Sequence, residues 1–310
     1  MGKCLLLGGG GFIGSHLAEL LLNKGYQVRI FDRPGVGLGN IKHIRGRIEL
    51  VPGEFARGRD VKKAVKGCDY IFHLIGTTIP ESSNRRPKHD VSSNVISTIR
   101  MLEIALAEGV KKVIFSSSGG TVYGIARKTP IPEDHPTAPL CSYGITKLTV
   151  ERYLQLFNHL YGLNYIVLRS SNPYGERQGT GGQQGVVPVL LRRVKEGKPL
   201  RIWGDGSVVR DFIYIDDLVR AFLKALTTRT RSRVFNIGTG RGTSINGLIE
   251  LIRRVTGREF RVEYAPGRKV DVPVNILDPR LAGKELKWKA RVSLEEGVRR
   301  IWKCELQNAK

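Results

Sequence analysis

The sequence predicts an α/β protein: a doubly wound parallel sheet followed by a smaller α+β C-terminal substrate-binding domain. Three observations carry this. Short apolar runs alternate with amphipathic helical stretches through the first half. A glycine-rich turn, Gly8 to Gly14, joins the first run to the first helix, and from about Ser171 the rhythm gives way to Gly- and Pro-rich loops. The first domain is expected over residues 1–170, joined by part of 205–240, and the second over 171–310. At 310 residues, 41% hydrophobic and 25% charged, the chain has the composition of a globular protein with a large core.

In order, Leu5 to Gly8 reads as a strand, Phe12 to Lys24 as a helix with Leu17, Leu20 and Leu21 inward, and Gln27 to Asp32 as a second strand, with Gly25 closing the helix. Tyr70 to Leu74 and Lys112 to Ser116 read as buried strands separated by a helix over about Val95 to Glu108. Tyr165 to Arg169 is a further strand after a helix carrying Lys147. In the second half the pattern gives a short strand near Leu200 to Trp203, a helix from Asp216 to Leu226, and a helix capped by Ser244 that runs to about Val255, with Arg253 and Arg254 in its last turn and Gly257 beyond. The loop-rich part suggests a lid.

The charge is strongly basic: 51 Lys and Arg against 28 Asp and Glu, a formal +23. No aromatic-basic interleaving or zinc-finger spacing accompanies it, so specific nucleic-acid binding is not expected. Such a field would attract an anionic nucleotide ligand. Cys4, Cys68, Cys141 and Cys304 lack metal-ligand spacing and are expected as reduced thiols, with no metal site. No apolar run is long enough to cross a bilayer, and Leu6 replaces the Ser or Thr of a myristoylation signal. A cytoplasmic protein is expected.

Gly8, Gly11 and Gly14 give G-x-x-G-x-x-G, and Gly9, Gly11 and Gly14 also satisfy G-x-G-x-x-G, both between a strand and a helix. In a Rossmann-type sheet such a turn lets a pyrophosphate approach the free N–H groups at a helix N-terminus. Asp32, eighteen residues after Gly14, is placed to accept ribose hydroxyls and repel a 2′-phosphate. NAD is the expected cofactor; Arg33 beside it leaves NADP as the alternative. Tyr143 and Lys147 are four apart, so on a helix they share one face. A phenol titrates near about 10, and a neighbouring ammonium is expected to bring it down towards the range where general-base catalysis is efficient.

With these motifs in this order, the chain resembles the extended short-chain dehydrogenase/reductase family, in particular its NAD-dependent nucleotide-sugar epimerases, over nearly its whole length. The resemblance implies cofactor contacts from Gly8, Gly11, Phe12, Ile13 and Gly14, from Leu74 and Gly76 in the strand end His73-Leu74-Ile75-Gly76, and from Glu54 and Phe55 near the adenine. Ser116 to Gly124 is similar to the serine-rich strand and loop before the catalytic helix, and Asn172-Pro173-Tyr174-Gly175 to a segment touching nicotinamide and sugar diphosphate. Arg201 and Trp203 fall in the strand on which the family stacks the base. Arg210, in Arg210-Asp211-Phe212-Ile213-Tyr214, corresponds to a diphosphate clamp, and Arg268 and Asp271 to holders of phosphate and ribose. A guanidinium suits phosphate because its fork matches the oxygens.

The chain departs from the family at one point. Four residues before Tyr123, where a Ser or Thr usually bonds the reacting hydroxyl, stands Gly119, so Ser118 or Thr121 must substitute. The acids that dehydratases and decarboxylases carry in this loop are missing. The resemblance therefore implies 4-epimerisation of a UDP-hexose through a transient 4-keto sugar, with Tyr143 as base, Lys147 as its partner and NAD used catalytically. Another NAD-dependent dehydratase, reductase or decarboxylase acting on a nucleotide sugar is the alternative, and a cofactor-sensing scaffold the non-enzymatic one. Asn275, seven residues after Arg268 at the family's gatekeeping position, suggests room for N-acetylhexosamines or uronates. The resemblance also implies a homodimer through the helices over about Val95 to Glu108 and Tyr143 to Tyr161.

Overall fold

Runs such as Cys4-Leu5-Leu6-Leu7 and Val113-Ile114-Phe115 have no polar face to offer water, so they form central strands covered on both sides, and all seven residues are buried. In the computed structural model, which describes residues 2–35, 38–179, 185–268 and 271–307, they belong to a seven-stranded parallel sheet. Its strands are β1 (Lys3–Leu7), β2 (Gln27–Asp32), β3 (Glu49–Pro52), β4 (Tyr70–His73), β5 (Lys112–Ser118), β6 (Tyr165–Ser170) and, after four short strands, β11 (Val234–Ile237). The spatial order is β3-β2-β1-β4-β5-β6-β11, the doubly wound arrangement in which ligands bind beyond the C-terminal strand ends.

Two of these strands carry little sequence signal. β3 is a four-residue edge strand bounded by Glu49 and Pro52, and β11 follows the basic run Arg229, Arg231, Arg233, pairing with Val167 to Ser170 of β6. The strand expected over Lys112 to Ser116 continues to Ser118, and the helix expected from Val95 begins at Ser97 after a π-helical turn, Val91–Ile96. Buried Lys112 at the start of β5 donates to the carbonyls of Ala225, Leu226 and Thr228, satisfying the open end of the Ile215–Thr227 helix.

The second half is more ordered than its loop-rich sequence suggests. It supplies helices Val186–Lys195, Ile215–Thr227, Ile245–Thr256 and Leu294–Gln307. Ser244 caps the third of these by accepting the Gly247 N–H at 3.0 Å, and Gly257 closes it at φ 63°. The short strands are β7 (Asn172–Tyr174), β8 (Leu200–Trp203), β9 (Val209–Arg210), β10 (Phe212–Tyr214), β12 (Thr243–Ser244), β13 (Val262–Ala265) and β14 (Val274–Asn275). They pair as β7 with β10, β8 with β13, and β12-β9-β14. β7 continues almost directly from β6, which ties this layer to the C-terminal edge of the main sheet. All four cysteines are free thiols, three of them buried. Among the described residues no helix is long and apolar enough to cross a membrane.

Candidate active site

The glycine turn closes as its spacing requires. Gly8 has φ 84°, and a Cβ on Gly14 would lie 2.4 Å from the Gly8 carbonyl oxygen and 2.6 Å from Gly9 Cα, so the helix can start this close to β1 only without a side chain there. The Phe12–Asn23 helix has Gly11 as its N-cap and no side-chain cap, leaving its first N–H groups for an anion. Asp32 Oδ2 accepts the Gly10 N–H at 3.1 Å and Oδ1 the Arg33 N–H at 2.9 Å, which sets the carboxylate at the mouth of the turn. Burial pushes its pKa up against those two bonds. A glycine cradle with open N–H groups and a carboxylate beside it fits NAD. Leu74 hydrogen-bonds to Leu7 and, with Gly76, continues β4 along the same edge. Phe55 is buried with its ring 5.2 Å from that of His73, and the neighbouring Glu54 N–H is held by Asp60 Oδ2 at 3.0 Å.

Tyr143 and Lys147 lie on the Ser142–Tyr161 helix, with Lys147 Nζ 5.6 Å from the Tyr143 ring centroid. They line one pocket with His73, Asn94, Thr98 and Thr146. Lys147 does not bond the phenol; it donates to the Ser116 carbonyl at 2.8 Å. The expected lowering of the phenol is therefore not found in this state. Burial, helped by Cys141 and Asp90, pushes the Tyr143 phenol up to about 12. Burial brings the Lys147 ammonium down to about 8, against the pull of Asp90 and Glu151. Desolvation outweighs the nearby charge because the ammonium lies over the ring and bonds the Ser116 carbonyl rather than the phenol oxygen.

Leu277 explains the missing serine. A Cβ on Gly119 would come within 2.4 Å of Leu277 Cδ1 and 2.9 Å of Cδ2. Asn275 secures the same spot, its Nδ2 donating to the Gly119 carbonyl at 3.0 Å. Asn275 is 1% exposed, so here it braces the catalytic loop. The two candidate hydroxyls differ. Thr121 Oγ1 is sealed from solvent with no partner, whereas Ser118 is half-buried at the end of β5 and its hydroxyl has no partner among the described residues.

Two of the residues expected to hold the nucleotide, Arg201 and Arg268, flank Trp203, which is 44% exposed. The guanidinium of Arg201 lies 4.9 Å from its ring and that of Arg268 6.0 Å. Arg268 bonds Asp271 through two contacts of 2.8 and 3.0 Å, so the aspartate holds the arginine here. Lys269 and Val270, between them, lie outside the described residues. Arg210 pairs in register with Asn275, donates to the Val209 and Val272 carbonyls, and has Asp271 at 3.9 Å. Burial pulls its guanidinium below the ordinary value. Asn172 Nδ2 donates to the Asp211 carbonyl at 3.2 Å, at the join of β7 and β10. Asp211, which the sequence did not single out, is buried and accepts from Thr239 and Gly240, fixing the strand that carries Arg210.

His73 forms the pocket floor between Phe55 and Phe115, with Nε2 2.8 Å from Thr98 Oγ1. Burial and then Lys147 bring its pKa down to about 3. Below about pH 6.5 the unfolded chain takes up a proton that the fold refuses, so stability falls with pH until about 3. Between pH 7 and 5 this group should cost about 2 kcal/mol. Urea midpoints at the two pH values should diverge in the parent and much less in His73→Leu; equal divergence would assign the loss elsewhere.

Residues 4–238 match the NAD dependent epimerase/dehydratase family. The UDP-glucose 4-epimerase of Mycolicibacterium smegmatis is 33% identical over 302 residues, 96% of each chain. Among solved structures, UDP-glucose 4-epimerase of Thermotoga maritima with UDP-glucose aligns at a TM-score of 0.94 and 38% identity, covering 99% of this chain and 100% of that one. UDP-N-acetylglucosamine 4-epimerase from Methanobrevibacter ruminantium, in complex with UDP-N-acetylmuramic acid, aligns at 0.93 and 28%, covering 99% of both chains.

Proposed function

Because the chain belongs to the NAD dependent epimerase/dehydratase family, we propose that it is an NAD-dependent epimerase that inverts C4 of a UDP-hexose. The observation that carries this is the loop beside Tyr143 and Lys147: its free hydroxyl is Ser118, and Gly119, Gly120 and Thr121 offer no acid to drive elimination. NAD, when bound, accepts the C4 hydride and returns it. Tyr143 takes the sugar O4 proton as the 4-keto sugar forms and gives it back on return. Lys147 holds positive charge beside it, and Ser118 bonds the same oxygen. Arg210, Arg268 and Trp203 anchor diphosphate and base, leaving the keto sugar free to turn over. Asn275, buried against the Gly119 carbonyl, leaves the choice among hexose, N-acetylhexosamine and uronate to the assay below.

Purified protein incubated with UDP-galactose, UDP-N-acetylglucosamine or UDP-glucuronate should yield the C4 epimer of at least one without net change in NAD. No epimer from any of the three, or loss of water, would overturn the reading. Ser118→Ala should lower kcat by about 10²-fold, with Thr121→Val close to the parent; the reverse order would move the hydroxyl role to Thr121. A homodimer in the cytoplasm completes the proposal. The dimer is supported by Ile145, Leu156 and Leu160 left exposed on the Ser142–Tyr161 helix and by Ile96 exposed at the end of the π-helical turn before Ser97, and a monomer in sedimentation at micromolar concentration would remove it.

A further inference from the structure

The helix that carries Tyr143 and Lys147 does not cap itself. Its N-cap, Cys141, makes no side-chain cap bond, and its first turn holds no acidic residue. The exposed N–H groups and the positive end of its dipole therefore need partners from elsewhere. They find them on the segment 78–94. Asn84 Oδ1 accepts the Ser142 N–H at 2.9 Å and Ser83 Oγ the Tyr143 N–H at 3.0 Å. Asp90 Oδ2 accepts the Ser142 hydroxyl at 2.7 Å and the Thr146 hydroxyl at 3.3 Å.

The other oxygen of Asp90 faces the opposite way. Oδ1 accepts the Thr78 hydroxyl at 2.5 Å and Asn94 Nδ2 at 2.8 Å, and Asn94 Oδ1 accepts the Thr77 N–H at 3.1 Å. Thr77 and Thr78 follow Leu74 to Gly76, the strand end beside which the cofactor is expected. The chain between Asp90 and Asn94 enters the π-helical turn, a wide turn found often at functional sites. Asp90 is 0% exposed and pairs with no Lys or Arg among the described residues. A buried carboxylate without a cation is costly unless its lone pairs are filled; the Thr78 and Ser142 hydroxyls and Asn94 Nδ2 fill them here, with the Thr146 hydroxyl shared between Asp90 and the Tyr143 carbonyl.

We infer that Asp90 is a positioning residue that ties the first turn of the catalytic helix, through the Ser142 and Thr146 hydroxyls, to the cofactor-side loop 74–78 and so sets Tyr143 and Lys147 against it. This rests on reading Tyr143 as the group that moves the substrate proton. The carboxylate also favours the Lys147 ammonium and opposes ionisation of the Tyr143 phenol, so its value lies in geometry and in keeping the lysine charged. An asparagine could keep its oxygen towards Asn94 Nδ2 and turn its NH2 to the Ser142 and Thr146 oxygens, since a hydroxyl accepts as well as donates, whereas an alanine opens both sides of the junction.

In NAD-loaded enzyme, Asp90→Ala should lower kcat by about 10 to 10²-fold, as a small misplacement of reacting groups does, with KM for the UDP-hexose within about threefold. Hydrogen exchange should quicken at the first turn, residues 142–147, and stay protected in the rest of the helix. Ser142→Ala removes the shorter of the two Oδ2 bonds from the other side; it should reproduce part of both losses and add little to them in the Asp90→Ala background. Unchanged kcat, exchange rising throughout the domain, or losses from Ser142→Ala that add in full to those of Asp90→Ala would overturn the inference. If the parent epimerises none of the tested sugars, the substrate reading fails, while the exchange at 142–147 still decides the role of Asp90.

Discussion

Tyr143→Phe is expected to lose at least about 10³-fold in kcat, roughly 4 kcal/mol of transition-state stabilisation, while keeping its fold, its cofactor and its affinity for the nucleotide sugar. The substitution retains the ring that packs beside Lys147 and Phe115 and removes only the oxygen. In this structure the Tyr143 hydroxyl bonds no described residue, so its loss leaves no buried partner unsatisfied and stability should move by less than about 0.5 kcal/mol. Binding should persist because the residues assigned to the nucleotide, Arg201, Trp203, Arg210 and Arg268, lie on other elements. Steady-state kinetics with a thermal melt and a titration of bound NAD separate the outcomes. Residual activity above about a tenth of the parent would show that another group moves the O4 proton. Since burial holds the phenol up at about 12 in this state, cationic charge brought beside it by the cofactor must lower it. The parent's pH–rate profile should therefore rise at a lower pH than 12, and that limb should vanish in Tyr143→Phe.

Much of this site was legible because its parts are local. The glycine turn, the carboxylate ending the second strand and the Tyr–Lys pair on one helical face are fixed by spacing alone, and the structure keeps each spacing. The cluster around Trp203 was legible through family resemblance rather than pattern, since Arg201, Arg210 and Arg268 read singly as surface charge. What escaped depends on distant packing. The state of the phenol could not be read from its lysine, because burial set it and Lys147 turned to the Ser116 carbonyl. β11 is four residues long and contains Asn236, so its pattern is too short to distinguish from loop. Asp90 belongs to no motif read from the sequence; only folding brings Ser142 and Thr146 to it.

Gly119 shows the same dependence on packing most sharply, and restoring the serine usual in the family should harm this enzyme. Leu277 is 0% exposed and packs with Val122, Tyr123 and Ile131. Its backbone is held on both sides, through a bridge to Ile131 and by its N–H donating to Asp211 Oδ2 at 3.4 Å. A side chain on residue 119 would therefore force the buried Leu277 side chain to repack against Val122, Tyr123 and Ile131 or lift the loop away from Ser170 and Asn275, to which Gly119 is bonded through its N–H and carbonyl. Overpacking of this kind costs about 1–3 kcal/mol, and the displaced loop carries Ser118 with it. Gly119→Ser should lower both the unfolding midpoint and kcat, the latter by at least about tenfold. Leu277→Ala opens space for the new side chain, so in Gly119→Ser/Leu277→Ala the two stability losses should sum to less than their separate values by about 1 kcal/mol or more. Denaturant unfolding of the four proteins in the cycle measures that coupling. Additive losses, or a Gly119→Ser enzyme faster than its parent, would show that Leu277 does not exclude the serine and that the loop has room for the usual arrangement.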